Sequence, residues 1–182
     1  VDIDNDNDLD LYVVSGGNEF NNRSNELIDR VYLNDGNGNF TKDTQDDLEN
    51  YTISGKSVTH IDFDNDGDKD IIVGNRIQTK KYPIHEPSII YENKEGKLYN
   101  NTYNIAPDFE NFGIVNKVIT TDFNNDGWED FVAVGEWTNI GLFLNEMGTF
   151  RNISRENDID DLYGLWFNIQ ETDVNNDGFK DY

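Results

Sequence analysis

The stretch Asp62-Phe-Asp-Asn-Asp-Gly-Asp-Lys-Asp70, running straight into Ile71-Ile-Val73, decides how the rest of the chain is read. An acidic turn here feeds a short β-branched run, the pattern of a buried strand. The same nine-residue pattern occurs at Asp2 to Asp10 (DIDNDNDLD), Asp122 to Asp130 (DFNNDGWED) and Asp173 to Asp181 (DVNNDGFKD), at spacings of 60, 60 and 51 residues. The first and third copies also run into strands, Leu11 to Val14 and Phe131 to Val134. Self-similarity at such a period marks a repeat architecture.

A second element follows each of the first three copies: VYLNDGNGNFT (Val31 to Thr41), IIYENKEGKLY (Ile89 to Tyr99) and GLFLNEMGTFR (Gly141 to Arg151). Each is strand, Gly-containing polar turn, strand, a hairpin signature. A fourth strand leads into the next acidic copy, at Ser57 to Ile61, Val115 to Thr120 and Trp166 to Gln170. Four strands per unit is the arithmetic of a propeller blade. The expected fold is all-β, a β-propeller sector of about three four-stranded antiparallel blades. Rings typically close with about four to eight blades, so the expectation is part of a larger, seven-bladed propeller. The units are approximately 1–60, 61–120 and 121–171, with 172–182 starting a fourth. The chain opens inside one motif and ends inside another, so it is expected to be one propeller segment of a longer protein, with its remaining blades as partners.

Composition narrows the function classes. In 182 residues, 37 acidic side chains against 14 basic ones leave a formal charge of -23. Such a surface repels phosphate, which argues against nucleic acid. No apolar run approaches the ~18 residues of a membrane span. With no cysteine there is neither a disulfide framework nor a thiolate metal site. Aromatic residues, 13% of the chain, can fill a core in spite of the acidity.

Written out, the motif is D-x-[DN]-x-D-[GN]-x-x-D. Side-chain oxygens at positions 1, 3, 5 and 9, with the backbone carbonyl of position 7, can converge if the chain turns sharply at position 6, where Asn7, Gly67, Gly127 and Gly178 stand. An all-oxygen, flexible shell suits Ca2+ better than Zn2+ or Mg2+. The candidate ligands are Asp2, Asp4, Asp6, Asp8 and Asp10; Asp62, Asp64, Asp66, Asp68 and Asp70; Asp122, Asn124, Asp126, Trp128 and Asp130; and Asp173, Asn175, Asp177, Phe179 and Asp181, the position-7 residues acting through their carbonyls. An EF-hand would place Glu at position 12, where Val13, Val73 and Ala133 stand inside strands. Solvated acidic turns are the competing reading of any one copy. Four copies in register argue against it, as does repulsion of about 3 kcal/mol between carboxylates ~5 Å apart at an effective dielectric near 20. Asn124 and Asn175 lower the ligand charge and predict weaker third and fourth sites.

At these residues the chain resembles FG-GAP and VCBS repeats, the calcium-loop propeller blades of integrin α head regions and of many bacterial secreted proteins. The stretches Asp10 to Phe20, Asp29 to Thr41 and Val132 to Glu146 look more like the bacterial relatives of cartilage acidic protein than like integrins. There is no Gly-Ala-Pro triplet and no Arg-Gly-Asp. The resemblance implies an extracellular, secreted or cell-surface module, stabilised by calcium, for adhesion or ligand binding.

Antiparallel connections alternate between the two ends of a blade, so the acidic loops and the hairpin turns should share one face. The long, dissimilar loops Ser15 to Ile28, Thr41 to Gly55, Gly74 to Ser88 and Asn100 to Gly113 should share the other, where binding usually lies. Arg76, Lys80, Lys81, Tyr82 and His85 form its basic cluster, and Trp137 is either a stacking platform or a core residue. The expected ligand there is a glycan or an extracellular protein. No sialidase Asp-box, G-x-S-x-G or H-E-x-x-H occurs, so a non-catalytic module is expected. A secreted polysaccharide lyase or hydrolase, or a purely structural spacer, stands as the alternative.

Overall fold

Within the computed structural model, which covers residues 1–182, the chain forms three antiparallel sheets of three, four and five strands. The first sheet is β1 (Leu11–Val13), β2 (Arg30–Asn34) and β3 (Phe40–Asp43), in that order. The second is β4 (Gly55–Ile61), β5 (Asp70–Asn75), β6 (Ile89–Lys94) and β7 (Lys97–Asn100), also in chain order. The third contains β8 (Ile114–Thr121), β9 (Asp130–Thr138), β10 (Gly141–Asn145), β11 (Phe150–Asn152) and β12 (Gly164–Leu165). Here β9 pairs with β8, β10 and β12. The second and third acidic loops each join two strands of one sheet, with Ile61 opposite Asp70 and Thr121 opposite Asp130 closing the ladders. A sheet therefore begins at the strand entering its acidic loop.

The sheets pack through two apolar clusters, one on each face of the second sheet. Strand alternation divides β5 between them: Ile71 and Val73 join Val31, Leu48 and Tyr91, while Ile72 joins Ile90, Val115 and Phe131. Every residue of β5 is buried, which explains its unbroken apolar run. Gly74 lets β8 approach closely, because a Cβ there would run into the Val115 side chain. Phe131 and Phe143 stack at 4.5 Å between centroids, and Phe109 meets Phe131 edge-on at 4.9 Å. Each such pair adds about 0.5–1.5 kcal/mol beyond the area it buries.

Three expectations need correction. The first sheet has three strands, not four. Trp166 to Gln170 is not a strand; the ladder with β9 ends at Leu165, just before it. A single antiparallel bridge joins Thr172 to Asp181 across the fourth acidic loop. The Asn100 to Gly113 loop holds two short helices, α1 (Thr102–Ile105) and α2 (Pro107–Glu110). Phe109 buries against Phe131 of β9 and Phe143 of β10, Ile105 joins the same apolar cluster, and Pro107 sits at a first helical position, where its missing N–H is not needed. No helix is long and apolar enough to cross a membrane.

Candidate metal centres

All four acidic loops share one backbone design. The residue at position 4 is Asn in every copy and adopts a left-handed conformation: φ is 60° at Asn5, 57° at Asn65, and 59° at both Asn125 and Asn176. Position 6 is left-handed too, at Asn7, Gly67, Gly127 and Gly178. Asn and Gly are the residues that adopt this conformation most readily. The position-5 carboxylate then accepts the N–H of position 7, at 2.9 Å for Asp8 to Asp6 and 2.8 Å for Asp68 to Asp66, Trp128 to Asp126 and Phe179 to Asp177. Position 9 closes the loop. Asp10, Asp70, Asp130 and Asp181 each accept through Oδ2 the N–H of position 2, at 2.8, 3.1, 3.0 and 2.9 Å. Their Oδ1 atoms, in the first three copies, accept the N–H of Asn34, Asn93 and Asn145 at the start of the hairpin turns.

This framework brings carboxylates together. In the first loop oxygens of Asp2, Asp4 and Asp10 lie within 4.8 Å of one another, and in the second those of Asp62, Asp64 and Asp70 do the same. Burial, followed by the charges of Asp6 and Asp10, holds the Asp4 carboxyl above the usual range. Asp64 is raised by burial and then by Asp66. Burial pushes Asp70 up to about 7 and Asp130 to about 6, although both accept two backbone N–H groups. Asp2 Oδ1 and Asp62 Oδ1 are buried without a hydrogen-bond partner. An unpartnered carboxylate oxygen beside two others fits a hard cation with oxygen ligands, because such an ion would satisfy that oxygen and offset the crowding.

The third and fourth loops keep the backbone but change the chemistry. Asn124 and Asn175 donate through Nδ2 to Asp126 and Asp177, at 2.8 and 3.0 Å. Both oxygens of Asp122 and of Asp173 accept backbone N–H groups. Of the position-7 side chains, Asp8 lies against Gly36, and Asp68 accepts from Asn5 of the first loop and from the Glu95 N–H. Phe179 is exposed.

Two sets of residues go beyond the sequence reading. The position-4 Asn is visible in all four copies, and its left-handed preference was the available signal. Asn34, Asn93 and Asn145 each immediately precede a hairpin turn, a regularity also open to inspection. The acidic loops and hairpin turns share one face, as expected: Gly96 lies against Asp4, and Asn93 Nδ2 donates to the Ile3 carbonyl. At the opposite end the basic cluster is partly neutralised, since Arg76 pairs with Glu136 at 3.1 Å; Lys80 Nζ donates to the uncharged Asn21 amide oxygen. Trp137 is 62% exposed and so is no core residue.

A family model described as FG-GAP-like repeat matches residues 2–73 and 122–182, stretches that contain all four acidic loops. No curated protein matches the chain significantly.

Proposed function

The chain belongs to the FG-GAP-like repeat family, and on that footing we propose that it is a non-catalytic, calcium-stabilised binding or adhesion module acting outside the cell as a sector of a larger propeller. The observation that carries the calcium reading is the pair of unpartnered buried oxygens, on Asp2 and Asp62, each inside a cluster of three carboxylates. Asp2, Asp4 and Asp10 would hold one ion and Asp62, Asp64 and Asp70 another. Position 5 would contribute from Asp6 and Asp66. The third and fourth loops would bind more weakly through Asp122, Asn124, Asp126 and Asp130, and through Asp173, Asn175, Asp177 and Asp181.

Bound calcium supplies positive charge where the chain has concentrated negative charge, and it ties positions at the two ends of each loop. Extracellular modules bind with dissociation constants around 10⁻⁴ to 10⁻³ M, so at about 1 mM free calcium each site adds roughly 0.4–1.4 kcal/mol. The loops at the opposite end differ in length and chemistry from sheet to sheet, which supports ligand binding there, to a glycan or an extracellular protein.

Thermal melting in calcium and in chelator tests the calcium reading. A midpoint several degrees higher in calcium is expected, and identical midpoints would reject it. Incubation with polysaccharides tests the non-catalytic role: release of products would overturn it.

A further inference from the structure

Seven buried side-chain polar atoms lack a hydrogen-bond partner. Two are the loop oxygens of Asp2 and Asp62; of the other five, four belong to Arg76, Thr79, His85 and Thr138, just past the far ends of β5 and β9 or at the end of β9 itself. Trp137 precedes Thr138 in β9 and lines one cavity with His85. Thr138 pairs with Gly164 and Glu136 with Leu165, so Trp137 is the extra residue of a β-bulge between β9 and β12. Its φ of 59° is uncommon for a bulky side chain, and bulges of this kind re-aim the residue they carry. Here the bulge turns an indole into solvent. Trp137 Nε1 donates to the Tyr82 hydroxyl at 2.6 Å, which fixes the two exposed rings relative to each other.

Beside Trp137 lies a cavity of about 180 Å³, walled also by Pro83, His85, Gly113 and Glu136. It is smaller than the ~300–1,000 Å³ of pockets for drug-sized ligands. Its acceptor, the Glu136 carboxylate, is held in place by Arg76, and a Cβ on Gly113 would lie 2.7 Å from Cγ2 of the buried Thr138. An exposed aromatic face, a fixed carboxylate and the unpartnered Nδ1 of His85 at one small cavity match a ring with an apolar face and a hydroxyl-bearing edge.

We propose that this cavity is a subsite for one ring of a neutral polysaccharide, stacked on Trp137 with its hydroxyls meeting Glu136 and His85; the assignment rests on the binding-module reading above. Neutral sugar is favoured over anionic sugar because Arg76 is already paired and the net charge of -23 repels polyanions.

Affinity electrophoresis in calcium tests it, with gels containing glucan, mannan, xylan or galactan, and alginate or polygalacturonate for comparison. At least one neutral polymer should retard the protein. Trp137→Ala should weaken that retardation about tenfold or more, and Lys42→Ser, on the exposed strand β3, should leave it unchanged. Melting in calcium checks that the variant is folded; if it is not, Tyr82→Ala and the change in tryptophan fluorescence on adding the polymer replace it. Retardation that survives in the folded variants, or that comes from anionic polymers alone, overturns this site and leaves the binding module standing. Retardation by no polymer also overturns it, while calcium melting and capture of a protein ligand decide the wider reading separately.

Discussion

The side-chain amide of Asn93 donates a 2.8 Å hydrogen bond to the carbonyl of Ile3, a residue of the first acidic loop lying 90 positions earlier in the chain. Asn145 does the same to Phe63 of the second loop, also at 2.8 Å. Each loop is thereby tied to the hairpin of the next sheet. Order in the loop and packing between sheets are then one cooperative unit, so an ion that stiffens the loop also steadies the sheet interface.

Asn93 further accepts the Gly96 N–H at 3.0 Å and donates to the Lys69 carbonyl at 3.3 Å. Asn93→Ala removes three hydrogen bonds at a buried position and should lower unfolding stability by about 3 kcal/mol, at roughly 1 kcal/mol each. Urea denaturation reads this directly. Calcium binding at the first loop should weaken in parallel, with the third loop unaffected. Intact stability would mean that the amide bonds are replaced by water at no loss.

How much of this was legible depends on distance along the chain. The acidic loops were readable because their ligands and their turn residues sit within nine consecutive positions. The hairpin Asn residues lie 24, 23 and 15 positions beyond the carboxylates they meet, so no fixed spacing announces the contact. The exposure of Trp137 was not readable at all, because its bulge is set by pairing with Gly164 and Leu165, far downstream. Ile105 and Phe109 lie on two separate one-turn helices, with Ala106 between them out of helical geometry, so no helical period ran through the segment.

Asp64→Ala should abolish the second site, since it removes one of the three convergent carboxylates. Lys69→Ala should leave the site count unchanged: its ammonium reaches only Glu129, at 3.7 Å on the surface, an interaction of about 0–1 kcal/mol. Isothermal titration of both variants against the native chain counts the sites. Equal losses would place the ligands in a different register.

Asp29, away from the metal loops, accepts the Ser15 N–H at 2.6 Å and the Tyr12 hydroxyl at 2.7 Å, yet burial pushes its carboxyl from 3.8 to about 6. Its ionised form is thus disfavoured in the fold. The native state holds the proton more tightly than the unfolded chain, so this group's contribution is most favourable below about pH 4 and is lost as pH rises to about 6. The total change is at most about 3 kcal/mol. Asp29→Asn keeps an acceptor for Ser15 and removes the titration. The stability difference between variant and native chain should grow from pH 4 to 6 and then level off. A flat difference would show that Asp29 titrates alike in both states.

Asn124→Asp should convert the third loop into a site like the second. The backbone frame is already present, because the Trp128 N–H reaches Asp126 and the Phe123 N–H reaches Asp130 as their counterparts do in the second loop. What differs is the amide, whose Nδ2 donates to Asp126 Oδ2 at 2.8 Å. A carboxylate there exchanges that attraction for repulsion of about 3 kcal/mol at ~5 Å and an effective dielectric near 20. Without calcium the variant should melt lower than the native chain. With calcium the repulsion becomes an added ligand, so the third site should tighten by about tenfold, near 1.4 kcal/mol, and the variant's calcium-induced rise in midpoint should exceed the native one. Calcium titration and melting, each with and without chelator, measure both effects. A variant that melts lower in chelator but gains no affinity would show that position 3 of this loop does not face the ion.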